Sequence, residues 1–202
     1  MILNALLATA FAGDYNLNGS LYIQVYKDPT TVAQALAHDH VVQANAWSGK
    51  ASYDPADPST CDLFISVPVK SLIVDEKGLR EQLGYDTFPS DSEREDIKAE
   101  MLGEKVLDGD KYPTITFQST SCVADGDRVK VTGDMTIHGE TKSVTVPMAV
   151  KADEVNFSAK GSIKIKSSDF GVPPYSAGFG ALKNQDTMIL VVSLHGKPKK
   201  NK

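Results

Sequence analysis

What the chain has little of narrows it first. Of 202 residues, two are cysteine and one is tryptophan, and Phe, Trp and Tyr together make 7%. Two cysteines are too few for a disulfide scaffold, and no C-x-x-C spacing occurs to hold zinc or to cycle between thiol and disulfide. No segment approaches the run of about 18 apolar residues that a membrane-spanning helix needs. There is no P-loop, no G-x-G-x-x-G opening a helix and no G-x-S-x-G elbow. The glycine-rich Gly178-Phe179-Gly180-Ala181 lies in a Pro/Gly loop before a strand, where a turn is expected rather than a phosphate cradle. Neither sign of charge dominates: 21 Lys and Arg face 26 Asp and Glu, for a net −5. That balance lacks the basic face of a nucleic-acid-binding domain. The one basic cluster, Lys197 to Lys202, reads as a solvated tail.

What is present is ordinary globular composition, 41% hydrophobic and 23% charged. The length suits one domain with its own core, needing neither metal nor disulfide to fold. The first twelve residues, MILNALLATAFA, are apolar except for Asn4 and Thr9 and end in an A-x-A pattern, as in a secretory signal. The expected location is therefore periplasmic or secreted. The run lacks a basic start and is short, so a buried N-terminal strand and a cytoplasmic location are the alternatives.

The dominant pattern has a period of two. Val129, Val131, Gly133, Met135 and Ile137 alternate with polar residues, as do Val144, Val146, Met148 and Val150, and then Phe157, Ala159, Gly161, Ile163 and Ile165. Strands apolar on one face belong to antiparallel sheets, and the short turns near 125–127, 139–141 and 153–154 make these three a meander. With similar segments near 20–27, 40–53, 61–71, 112–123 and 187–196, eight strands are expected. Eight such strands close into a barrel or stack as a sandwich. Small inward residues (Gly133, Ala159, Gly161) either let bulky neighbours interdigitate or leave room for a guest.

Residues 72–111 are too long for a passive loop. Within them, Pro89 to Gly103 reads as a helix with a Ser92/Glu95 capping box, Ile97 and Met101 on one face and Gly103 as its end. Such a helix is expected to serve as a lid or a plug at a barrel mouth. A further helical turn is expected within 29–38.

Cys61 is in phase with inward Leu63, Ile65 and Val67, whereas Cys122 is in phase with polar Thr116, Gln118 and Thr120. Without a bulge the two would not meet. His38 and His40 share a face if extended, a spacing that suits two metal ligands on a strand, with His138 or a carboxylate as a third. The plainer reading is two polar residues at a turn. No catalytic constellation is apparent, so no enzyme activity and no cofactor are expected.

Three ordered segments resemble the YceI-like family: Tyr112-Pro-Thr-Ile-Thr-Phe-Gln-Ser-Thr120, Val131-Thr-Gly-Asp-Met-Thr-Ile-His-Gly139-Glu-Thr-Lys142 and Ser167-Ser-Asp-Phe-Gly171. Ala37 to Val42 and Ser48-Gly49 extend the resemblance more weakly. It implies an all-β fold, an eight-stranded antiparallel, lipocalin-like barrel; with the strands and helix read above, the barrel is expected over 13–196 with the helical insertion, about 72–111, between its third and fourth strands. It also implies binding of a polyisoprenoid or fatty-acyl lipid in the cell envelope. Met135 and Glu140 stand where the family usually carries aliphatic residues, and Ser167 where it carries arginine, which argues against assuming an anionic head group.

Inward phase makes Phe117, Val131, Met135, Ile137, Met148, Phe157 and Ile163, with Trp47 and Phe170, the expected hydrophobic wall. His38, His40 and His138 are the expected polar end. The alternatives are a metal-dependent enzyme using His38 and His40, and a filled-core module acting through its loops. Whether two copies pair as a homodimer is open.

Overall fold

The alternating segments form strands that close on themselves. The computed structural model describes residues 12–199, so nearly all of the expected signal segment and the end of the basic tail lie outside the described residues. The strands are β1 (Gly13–Lys27), β2 (His40–Ala44), β3 (Ser48–Tyr53), β4 (Asp62–Pro68), β5 (Leu72–Val74), β6 (Thr114–Asp125), β7 (Arg128–Ile137), β8 (Glu140–Ala152), β9 (Phe157–Lys166), β10 (Ser176–Ala177) and β11 (Leu182–Pro198). Two helices, α1 (Lys77–Gln82) and α2 (Asp91–Leu102), lie between β5 and β6. Eight strands make an antiparallel ring in the order β1-β3-β4-β6-β7-β8-β9-β11, shut by β11 pairing back along β1 from Tyr15–Pro198 to Lys27–Asn184. Closure leaves the ring without a free edge.

The segment 40–53 is two strands. β1 pairs with β3 through Gly13–Asn16 and with β2 through Tyr22–Val25, so the partner chain bends at Asn45–Trp47 to change position. β5 adds to β2 beside the eight-strand ring, and Val42, Ala44, Leu72 and Val74 of this pair also line the cavity described below. The last strand runs two residues past the predicted end, into Pro198.

The apparent opposition of Cys61 and Cys122 is overturned. The β6–β7 register slips between Ser119 and Ser121. One extra residue reverses the phase of the rest of β6, because strand side chains alternate with period two. Phe117 and Cys122, on opposite faces by count, are therefore both buried. Cys61 and Cys122 form a disulfide with Cα atoms 6.0 Å apart. It ties the start of β4 to the end of β6 at the barrel end that Tyr15, Tyr53 and Phe157 fill. The rings of Tyr15 and Phe157 are 4.8 Å apart, and those of Tyr53 and Phe157 are 6.2 Å apart.

The predicted helix is α2, capped two residues earlier than expected. Ser90 is the N-cap: its Oγ accepts from the Glu93 N–H, and the Glu93 carboxylate accepts from the Ser90 N–H at 2.7 Å. Ser92 and Glu95 are exposed residues within the helix. Gly103 ends it, and a 3-10 turn at Gln34–Leu36 supplies the expected turn in 29–38.

The inward glycines serve interdigitation. A Cβ on Gly133 would lie 2.5 Å from the Phe117 ring and 2.5 Å from the Gln118 carbonyl oxygen, and one on Gly161 would lie 2.8 Å from the Pro147 carbonyl oxygen.

Candidate functional site: an apolar cavity open at one end

One end of the barrel is packed shut, and the other holds a cavity of about 500 Å³. That volume falls within the usual range for small-molecule sites. The wall is aliphatic and aromatic because the inward positions of every ring strand except the short β3 converge on it. Phe117, Val131, Met135, Ile137, Met148 and Phe170 line it, as predicted by phase. Sequence reasoning missed the β1 face (Leu21, Ile23, Val25), the β4 face (Leu63, Ile65, Val67) and the β11 face (Met188, Leu190, Val192). Those strands carried the same alternation and could have been included.

The other predicted wall residues sit elsewhere. Phe157 belongs to the plugged end, beside Tyr15. Ile163 packs half-buried against the core. Trp47 lies at the β2–β3 bend, where it crowds Gly49 so closely that a Cβ there would be 2.9 Å from its ring. None of the three is on the cavity wall.

The three histidines separate. His40 lines the cavity, whereas His38 does not; its ring meets that of His40 edge-on at 5.0 Å. His138 occupies the tight β7–β8 turn with a φ of +52°, followed by Gly139 at +77°. Positive φ at both central residues is what a type I′ hairpin turn needs. Its ring stacks 4.4 Å from Tyr112. A Cβ on Gly139 would lie 2.5 Å from Tyr112, and one on Gly171 would lie 3.7 Å from His138. The three sequence segments that carry the family resemblance thus meet at one corner of the rim. Their shared role there is to fix a hairpin and to turn Phe170 into the barrel end through the 3-10 turn Ser167–Phe170.

His40 is held by residues the sequence did not single out. Its Nδ1 lies 2.6 Å from Oδ2 of Asp75, which is 1% exposed, and Arg80, fully buried, reaches the other carboxylate oxygen at 2.5 Å. Arg80 also donates to the carbonyls of Asp39 and Thr87 and to Thr87 Oγ1, and its guanidinium lies 4.5 Å from the Tyr85 ring centre. Burial alone would push the Asp75 carboxyl up, but the hydrogen bond and charge of His40, the Val41 N–H and Arg80 together hold it below its usual range. An ionised carboxylate can only accept, so the imidazole proton sits on Nδ1. An Arg in the short helix α1 reads in sequence as a solvated charge, which is why this network was not foreseen.

Polar groups gather at the open end. Asp96 and Glu100, one turn apart on α2, border the cavity beside Ile97 and Met101, and Asn184 and Gln185 border it from β11. No Lys or Arg occurs among the described lining residues. Ser167, where the resemblance leads one to expect arginine, donates to Asp186 at 3.0 Å and also lines the cavity. Among the described residues, no three His, Cys, Asp or Glu side chains come together where a metal ion could sit.

A closed antiparallel barrel with one apolar, single-ended cavity defines a lipocalin-like class of fold. The YceI-like domain profile matches residues 24–194, and the chain belongs to the YceI-like family. A UPF0312 protein of Vibrio cholerae is 26% identical over 139 residues, covering 63% of this chain, and the chain spans 62% of that relative's length. The Escherichia coli O157:H7 protein YceI is 41% identical over 70 residues, 31% of this chain and 36% of that one. The crystal structure of Burkholderia cenocepacia BcnA superposes with a TM-score of 0.63 at 20% identity, over 87% of this chain and 95% of that one. The Campylobacter jejuni YceI protein gives 0.60 at 17% identity, over 79% and 85%. These two establish the fold.

Proposed function

We propose that the protein binds a long apolar amphiphile, a polyisoprenoid or fatty-acyl lipid, inside the barrel, and acts as a carrier in the cell envelope rather than as an enzyme. The cavity carries this reading. Its wall offers a chain continuous apolar surface, and its polar groups are confined to one end, as a guest with one head requires. Burial is worth about 0.8 kcal/mol per methylene, so ten methylenes give roughly 8 kcal/mol, the scale of micromolar affinity before ordering costs. The Asp96 and Glu100 carboxylates, with no lining cation to offset them, favour a neutral or cationic head over a carboxylate or phosphate. The disulfide supports an oxidising compartment, periplasmic or extracellular.

Native mass spectrometry of protein purified from its own host, with organic extraction, tests the reading. A discrete added mass that extracts as a long-chain amphiphile is the expected result. A clean apo mass that persists after incubation with polyprenol and fatty-acyl ligands overturns it in favour of a surface-acting module.

A further inference from the structure

The loops framing the mouth turn large apolar side chains outward. In the β1–β2 connection Val32 is 94% and Leu36 77% exposed, and in the β10–β11 connection Phe179 is completely exposed. Isolated exposed apolar residues are commonplace. These are joined: the Asp28 N–H donates to the Lys183 carbonyl at 2.7 Å, and the Ala33 N–H to the Ala181 carbonyl at 3.1 Å, clamping the two loops into one lip. The lip is continuous with the cavity, whose border includes Tyr175 and Asn184 from the same stretch of chain.

Two further features set the lip apart. Neither residues 29–38 nor residues 172–182 contain an Asp, Glu, Lys or Arg, in a chain that is 23% charged. Phe179 is held at a φ of +56° between Gly178 at +58° and Gly180 at +89°. A bulky residue in that region is strained, and a fully exposed ring gains no internal packing to offset the strain. The tips also satisfy much of their own backbone, through the Thr31, Leu36, Ala37 and Ala181 N–H groups. Such tips can enter a less polar medium without abandoning those bonds.

We propose that this lip docks on a lipid bilayer, placing Val32, Leu36 and Phe179 in the interface so that an apolar chain passes between membrane and cavity without crossing water. The inference rests on the cavity reading above, since a long-chain guest resides in membranes. Absence of charge, together with the nearby Lys27, Asp28, Asp39 and Lys183 of mixed sign, makes the contact hydrophobic rather than electrostatic. The matching surface is therefore zwitterionic.

Co-sedimentation of the full chain with phosphatidylcholine vesicles tests the proposal. The parent is expected to bind, and a V32S/L36S/F179S variant to bind at least about tenfold more weakly, because each apolar side chain adds interfacial area. None of the three lines the cavity, so both proteins should bind a fatty-acyl ligand equally in vesicle-free solution. A second measurement needs no loss of binding: Phe179→Trp should be quenched by bromines within the bilayer, and Trp47 of the parent should not. Absence of vesicle binding by the parent, equal binding by the triple variant, or an unquenched Trp at 179 overturns the proposal. A parent dimer that the triple variant converts to monomer also overturns it, assigning the patch to a second copy. Failure of both proteins to take up ligand in solution points instead to failure of the cavity reading.

Discussion

Nδ1 of His40 lies 2.6 Å from Oδ2 of Asp75, and this contact links the cavity wall to a buried ion pair. Asp75 also closes the link in the backbone, accepting the Val41 N–H at 2.9 Å and donating its own N–H to the Val41 carbonyl at 2.8 Å. The carboxylate thus fixes both the ring of His40 and the chain that follows it.

Removing Arg80 leaves that carboxylate buried with less compensation. Arg80→Met is expected to destabilise the fold by about 3–5 kcal/mol, as seen when one partner of a buried pair is lost. Urea denaturation measures this. Adding Asp75→Asn should recover part of the loss, because the uncompensated charge goes with it. An Arg80→Met variant as stable as the parent would show that the pair bears no weight.

Acid should weaken this region in two stages. A carboxyl lowered on folding contributes stability that is present above its unfolded value near 4 and is lost as pH falls through the lower native value, which is the case of Asp75. His38 is lowered by burial first and then by His40 and Arg80, opposed by Asp75 and Glu93, so the fold favours its neutral form. Its contribution is lost as pH falls from about 6.5 toward the lower native value. The urea midpoint should decline below about pH 6.5 and again below about 4, and His38→Gln should remove only the first decline.

The Cys61–Cys122 bond closes a loop with a sequence separation of 61. Chain entropy assigns such a closure about 4 kcal/mol. Reductant, or Cys61→Ser with Cys122→Ser, should lower the melting temperature on the order of 10 °C for a domain of this size. A thermal melt unchanged by reductant would contradict the pairing.

Filling the cavity should separate binding from folding. Val42 lines the open part of the wall and is only half-buried. Val42→Phe is expected to lower affinity for a fatty-acyl ligand by about tenfold or more, since it displaces several buried methylenes, with little change in melting temperature. Gly133→Ala should act first on folding. Its Cβ meets Phe117 and backbone, so a loss of about 1–3 kcal/mol is expected, partly recovered by Phe117→Leu in a double-mutant cycle. Undiminished ligand affinity in Val42→Phe would place the guest elsewhere.

Alternation made the barrel legible, because each ring strand buries one face. It also identified Phe117, Val131, Met135, Ile137 and Met148 as inward. It failed where one residue changed the count: the bulge near Thr120 is invisible to a period-two reading, and with it went the approach of Cys61 and Cys122. It failed differently at Asp75 and Arg80, whose burial arises from the meeting of β2, β5 and α1 rather than from any local pattern. His138 was expected at the polar end, yet its turn role depends on Tyr112, distant in sequence.

Closing the ring through β1 and β11 has a kinetic consequence. Tyr15 pairs with Pro198, so the final seam joins strands separated by nearly the whole chain. A chain delivered N-terminus first, from a ribosome or across a membrane, cannot complete the seam until β11 emerges, and β1 waits meanwhile with that edge unpaired. Long-range pairing of this kind folds slowly. The chain remains open longest along the edge that will later shut the cavity wall, an interval in which a holding chaperone has a strand to bind.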